Sequence, residues 1–321
     1  MCNLHEQFGD FHDNISLSNT KKEDLRRGRD ALRQKVRNYF KEKDMKIPDF
    51  CGQGSFMMKT VVNPIGDNEY DIDDGIYLKG YQDTDEDWPA TSTVHSWIKK
   101  AVENHTSEPP QDKNTCIRVI YAKNYHIDLP SYIIKDDVAY LAHKAKGWIE
   151  SDPKAMTDWF INENKDTGDQ LRRVVKYIKA WKDYQNKDSK QVDLCGLAIT
   201  ILAANNFYYE SGRDDKSLLG TLTSIIDELE SDFVCNKPVT PKDEDLFEGF
   251  SSTKQTNILS KLKSFRDTLE AAIDEDNEKK ACEKLRGKLG ERFPEGEDNS
   301  TDDEFVKSSG PTIIRSDGRS A

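Results

Sequence analysis

The chain has 321 residues, of which 35% are hydrophobic and 33% charged, with a mean hydropathy of −0.82. There is room for two modest domains or one bilobed one, with the apolar residues gathered into a few elements, and no run approaches the ~20 apolar residues of a membrane span. The net charge of −12 argues against a nucleic-acid substrate, which calls for clustered Lys and Arg, but leaves nucleotides open, because acids can hold the Mg²⁺ that accompanies a triphosphate.

The opening residues, MCNLHEQFGDFHDN, show neither a basic nor an apolar leader segment. Cys2, Cys51, Cys116, Cys195, Cys235 and Cys282 are scattered with no C-x-x-C pair. Reduced thiols in a cytoplasmic protein are therefore expected rather than a disulfide framework or a zinc site. No histidine, His126 included, has metal-ligand spacing.

Residues 21–43 place Leu25, Leu32, Val36 and Phe40 at helical spacing under a charged outer face, with Asn19 or Thr20 as the N-cap. Short β-rich runs follow at residues 69–79, 115–121 and 125–133. Between the first two, residues 92–103 read as a helix with Val94, Trp97, Ile98 and Ala101 on one face. From about residue 148 the pattern is helical, over 156–164, 168–184, 194–209, 216–231, 254–274 and 278–289. Strands first and helices second predict an α+β lobe followed by an all-helical lobe, with a cleft between them. The expected domains are 1–147, including the N-terminal spine helix, and 148–293. Residues 294–321, rich in Glu, Gly, Asp and Ser, are expected to form a disordered tail.

Three pieces of the first lobe suit one chemistry. Gly54-Ser55 opens a short helix and can present N–H groups and a hydroxyl to phosphate, although a Gly-Ser pair alone is commonly only a turn. Asp71 and Asp73 alternate with Ile72, so both point to one face of a strand. They are either solvated acids on an edge or a recessed pair that needs a cation. Asp128 is a lone acid in an apolar strand, by itself read as a strand end. Together the three carboxylates could hold two Mg²⁺ ions ~4 Å apart for an in-line displacement.

The order Gly-Ser, Asp-x-Asp, then a third strand Asp resembles the polymerase-β-like nucleotidyltransferases. The segments QGSFMMKTVVNP…EYDIDDGIYL, TCIRVIYAKNYHIDLPSY, WIESDPKAMTDWF and LRRVVKYIKAWKDYQ resemble, more closely, the bacterial cGAS/DncV-like nucleotidyltransferases. The resemblance spans about residues 20–290. It implies a polymerase-β-like lobe with a mixed sheet, and synthesis of a cyclic dinucleotide, cyclic GMP-AMP foremost, from ATP and GTP with release of pyrophosphate in anti-phage (CBASS) signalling. It implies that Asp71, Asp73 and Asp128 are catalytic and hold two Mg²⁺ (or Mn²⁺) ions, with Asp128 serving the acceptor hydroxyl. Gln53, Gly54 and Ser55 would hold the triphosphate, Arg118 and Lys179 would line the pocket, and Tyr77 would lie near the nucleotide.

Two features depart from the family pattern: a short segment between the first helix and the Gly-Ser turn, and Asp193-Leu194-Cys195-Gly196 where relatives carry serines. Base choice therefore does not transfer directly. The same chemistry could make another cyclic di- or trinucleotide or a 2′-linked isomer. Rivals outside it are an enzyme acting on RNA or protein, and a non-enzymatic nucleotide-binding protein. Trp148, Trp159, Phe160 and Trp181 are expected as core between helices, Arg172 and Arg173 on a solvated face, and Lys176 and Lys179 together on another. By the same resemblance, Ala321 could be the attachment point of a ubiquitin-like conjugating partner.

Overall fold

The computed structural model describes residues 1–66, 68–81, 85–122 and 124–298. It opens with α1 (His5–Asn14), for which the sequence reading had no expectation. Leu4, Phe8, Phe11 and Ile15 bury themselves in the helical core, with the Phe8 and Phe11 rings against Tyr177 and Phe293. These first residues therefore pack with the second half of the chain, not within the expected 1–147 lobe.

Helix α2 (Asn19–Glu42) begins slightly earlier than expected, because the Ser18 hydroxyl accepts the Lys21 N–H at 3.2 Å and acts as N-cap. Its stripe of Leu25, Leu32, Val36 and Phe40 is buried against the sheet. Gly28 allows the close approach: a Cβ there would sit 3.0 Å from Ile127 Cδ1 and 3.1 Å from the Tyr121 ring.

Next come β1 (Asp49–Gln53), α3 (Gly54–Met58), β2 (Tyr70–Leu78), α4 (Thr91–Val102), β3 (Gln111–Asp112), β4 (Ile117–Tyr121), β5 (Tyr125–Leu129), β6 (Ser131–Lys135), β7 (Val138–His143) and β8 (Gly147–Glu150). They form one mixed sheet in the order β3-β4-β5-β2-β6-β7-β8, with β1 antiparallel to β2. The run expected at 125–133 is two strands, split by Pro130, which has no N–H to donate. Its carbonyl accepts the Ile76 N–H at 2.8 Å, and β2 passes from parallel pairing with β5 to parallel pairing with β6 at that point.

Side chains of β2 alternate between two environments. Tyr70, Ile72, Ile76 and Leu78 join the core under α2 and α4. On that same face Asp74 is fully buried and takes both ends of the Arg33 guanidinium at 2.7 and 2.5 Å, which is how a charge is tolerated there. Asp71 and Asp73 are thereby turned to the opposite face.

The second lobe consists of α5 (Pro153–Glu163), α6 (Gln170–Gln185), α7 (Gly196–Asn205), α8 (Asp214–Ser231), α9 (Ser252–Ile273) and α10 (Glu278–Leu289). Asp152 caps α5 through the Ala155 N–H at 2.9 Å, with Pro153 in its first turn. Phe160 and Trp181 are fully buried there and Trp159 partly so. Trp148 instead packs in the sheet lobe against Trp88, because β8 carries it away from the helices. Arg172 and Arg173 are not a solvated face either. Arg172 pairs with Asp169 and donates to the Met58 carbonyl, and Arg173 makes a two-point pair with buried Asp214.

Residues 294–298, expected as the start of a disordered tail, are instead held in place. Phe293 is buried, the Lys279 N–H donates to the Glu297 carbonyl at 3.0 Å, and the Glu297 N–H donates to Glu278 at 2.9 Å. Residues up to 298 thus run back along α10. The rest of the expected tail, with Ala321 and the conjugation reading, lies outside the described residues. Among the described residues no helix is long and apolar enough to cross a membrane, and the six cysteines are free.

Candidate active site

The odd face of β2 opens into a cavity of about 660 Å³ between the two lobes. Gln53, Gly54, Ser55, Asp71 and Asp73 line it from the sheet side, and Lys179, Lys182 and Asp183 from α6. The turn from β1 into α3 brings the Gly-Ser pair onto the aspartates. Gly54 has φ +71, and a Cβ there would lie 2.2 Å from Asp73 Oδ2, so this close approach and backbone conformation require glycine.

Asp71 and Asp73 keep part of their surface open to the cavity, yet protein closes around both carboxyls. Burial raises the Asp73 pKa well above the usual carboxylate range, and the charges of Asp71 and Asp128 add to it. Burial also raises that of Asp71, with His126 and Lys179 pulling the other way. Lys179 is the mirror case: burial lowers its pKa to about 8, opposed by Asp71. Its ammonium donates to Thr60 Oγ1 at 3.0 Å, so it is held at the cavity wall rather than swinging free.

Asp128 lies beside this pair without sharing the cavity lining. In the parallel register Asp73 faces Asp128 and Asp71 faces His126, whose Nδ1 is 2.6 Å from Glu69. Both Asp128 oxygens accept from Arg118, at 2.9 and 2.8 Å. Arg118, expected as a pocket-lining cation, therefore stands behind Asp128. Among the described residues no group of three or more His, Cys, Asp or Glu is gathered tightly enough to hold a metal. Two recessed, mutually repelling carboxylates do fit a hard divalent cation such as Mg²⁺ or Mn²⁺, because oxygen donors suit it and its charge relieves what burial opposes. Asp71 and Asp73 would hold it.

Tyr77 does not line the cavity. Its ring stacks on Tyr132 at 4.9 Å and 18°, one step beyond Gly75 along the same face. Gln53 fills the space between: its Nε2 donates to the Tyr132 hydroxyl at 2.9 Å, and its Oε1 is buried with no partner.

Several lining groups escaped the sequence reading. Lys182 and Asp183 follow Lys179 by three and four residues on α6, the spacing of one helical face, and could have been found that way. Thr60, Lys237 and Thr240 sit in irregular segments where no periodicity marks them.

Residues 48–132 match the model of the nucleotidyltransferase domain of DncV-like cyclic GMP-AMP synthases, and residues 168–301 that of the cyclic GMP-AMP synthase C-terminal domain. The chain belongs to the DncV-like nucleotidyltransferase family. A cyclic GMP-AMP synthase of Escherichia albertii is 32% identical over 218 residues, covering 65% of this chain and 47% of the relative. The chain thus spans about half the length of that curated relative. The cyclic GMP-AMP synthase of Vibrio cholerae is 28% identical over 305 residues, 78% of this chain and 69% of the relative. The crystal structure of Vibrio cholerae DncV with the linear intermediate 5′ pppA(3′,5′)pG superposes with a TM-score of 0.77 at 21% identity, covering 91% of this chain and 96% of that one. At that identity the likeness speaks for the fold, and it agrees with the α+β architecture expected from the sequence.

Proposed function

We propose that the protein is a metal-dependent synthase that joins nucleoside triphosphates into a cyclic oligonucleotide, releasing pyrophosphate. The observation that carries this reading is the recessed Asp71–Asp73 pair, set against Gly54-Ser55 and facing Lys179 in a cavity between two lobes. A cavity of about 660 Å³ is of the size that takes a small ligand, and its floor has the donor set for a triphosphate's divalent counter-ion.

In this mechanism Asp71 and Asp73 would hold Mg²⁺, or Mn²⁺ in its place, which when bound would neutralise charge building on the phosphoryl oxygens. Ser55, at the start of α3 and lining the cavity, would donate its hydroxyl to the phosphates. Lys179, already anchored on Thr60, adds a fixed cation whose charge a bound triphosphate would stabilise. Asp128 orients the attacking hydroxyl and draws its proton, while Arg118 holds the carboxylate in a single orientation.

Cyclic GMP-AMP as product follows the names of the two curated relatives, and ATP and GTP are the substrates such a product requires. Role in anti-phage signalling and a cytoplasmic setting belong to the same reading. Ser151, Asp152, Gly196 and Leu197 also line the cavity, and in this reading they would meet a base and bear on the choice among purine pairs and longer rings.

The test is incubation with labelled nucleoside triphosphates and Mg²⁺, then phosphatase treatment. Label in a phosphatase-resistant product without terminal phosphates, with both bases identified by mass, is the expected result. Label found only in linear, phosphatase-sensitive species would overturn cyclisation, and no incorporation at all would overturn the synthase reading.

A further inference from the structure

Arg292 lies past the end of α10 and reaches back across the molecule to the segment that walls the cavity. Its Nη1 donates to the Asn63 carbonyl at 2.8 Å and lies 3.1 Å from the Asp183 carboxylate, and its Nη2 donates to the Ala180 carbonyl at 3.0 Å. Asp183 in turn accepts the Ile65 N–H at 3.1 Å. The wall is thus held at Asn63 and Ile65, while Thr60, Pro64 and Asp183 face the cavity. Asn63 is tethered twice more, by its N–H to the Ile15 carbonyl at 2.7 Å and by its side chain to Lys21 at 2.6 Å. Two backbone carbonyls and a carboxylate converge on one group, and only a planar fork can serve all three.

We propose that Arg292 is a positioning residue that locks the wall at residues 60–65 onto α6, and so sets where Thr60 and Lys179 stand relative to Asp71. The inference rests on reading the cavity as a nucleoside triphosphate site. Arg292 touches none of the reacting groups. It acts through Asn63 and Asp183, and its loss lets the wall drift while the aspartates on β2 stay in place. The expected signature is weaker nucleotide binding with chemistry largely preserved.

The experiment compares full-length wild type with Arg292→Met, Arg292→Lys and Phe293→Leu, a change at a buried neighbour whose ring packs on Phe8 and Phe11. Arg292→Met should raise the KM for triphosphate about tenfold and leave kcat within about threefold, since displacement of a wall weakens binding without removing a reacting group. Arg292→Lys keeps a charge beside Asp183 but cannot span both carbonyls, so it should fall between. Hydrogen exchange at the Asn63 and Ile65 amides should speed up in both variants while α9 and α10 stay protected. Phe293→Leu should lower Tm with KM unchanged, because an unfolded fraction lowers the number of active molecules but not their affinity.

A wild-type KM in Arg292→Met, or an equal KM rise in Phe293→Leu, would overturn the proposal. Should Arg292→Met fail to fold, Arg292→Lys decides: unchanged exchange at Asn63 and Ile65 sinks the clamp. If wild type converts no triphosphate, the cavity reading fails on its own account, and the exchange measurement still decides whether Arg292 holds the wall.

Discussion

Arg118 and Asp128 face each other directly across β4 and β5 and are joined at both ends, Nε to Oδ1 at 2.9 Å and Nη2 to Oδ2 at 2.8 Å. Each carboxylate oxygen keeps a second lone pair, so the pairing fixes the direction of Asp128 without using up its capacity to accept. On the proposed mechanism Asp128→Asn should cut kcat about a hundredfold or more and change KM only modestly, as expected for lost proton transfer. Arg118→Lys keeps the charge but loses the fork, and should cost kcat about tenfold through misdirection of Asp128. Steady-state kinetics decide. A KM effect with kcat intact would remove Asp128 from the reacting centre.

Asp71 and Asp73 repel one another in a recess where burial already disfavours their charge. Replacing both by Asn should reduce synthesis to background. It should also leave metal-free protein at least as stable as wild type at pH 7, because it removes two charges the fold holds at a cost. Thermal unfolding in a chelator reads this directly. A clearly lower Tm for the double variant would mean that the acids support the fold instead of awaiting a cation.

The sequence was most informative where one physical rule governs a stretch alone. The 3.6-residue period predicted α2, α4 and the helices of the second lobe to within a few residues, and the two-residue period put Asp71 and Asp73 on a common face. It was silent on α1, whose Phe8 and Phe11 find their partners, Tyr177 and Phe293, far along the chain. Pairing at such distance leaves no local mark. The same holds for Arg172 and Arg173, which look solvated on a helical wheel until Asp214 from α8 arrives beside Arg173. Tyr77 is a different case. Its position on the correct face was legible, but not that Tyr132 and Gln53 fill the space between it and the cavity.

Lys176 carries a buried ammonium, 6% exposed, whose hydrogen-bond partners are the Ser16 hydroxyl and His12 Nε2. Burial lowers its pKa from 10.5 to about 8, with Lys22 next among the causes. A folded pKa below the unfolded one means that charging Lys176 costs stability. The penalty is full below about pH 8 and fades as pH rises toward 10.5, where the unfolded chain also loses the proton. Lys176→Met should therefore stabilise the protein at pH 7 by roughly 1–3 kcal/mol, and the advantage should shrink by pH 10. Denaturant unfolding at the two pH values tests it. An equal difference at both would show that packing, not charge, sets the effect.

The chain can be shortened at its C-terminal end only to a defined point. Cavity-lining residues run from Gln53 to Thr240, the core extends to Phe293, and Glu297 still exchanges hydrogen bonds with Lys279 and Glu278. A cut at Gly296 would therefore remove contacts that α10 uses, whereas a cut after Asp298 spares all of them. Deleting 299–321 should leave turnover within about twofold and Tm unchanged, because no group of the described core or cavity is lost. Ending the chain at Gly290 removes Arg292 and Phe293 together. It takes away the hold on the cavity wall and a fully buried aromatic, so it should weaken nucleotide binding about tenfold and lower stability by about 3–5 kcal/mol, the range for loss of a buried Phe. Calorimetric titration of nucleotide into both truncated proteins separates the cases. A tenfold loss of turnover from the cut after Asp298 would show that residues beyond it contribute to the cavity.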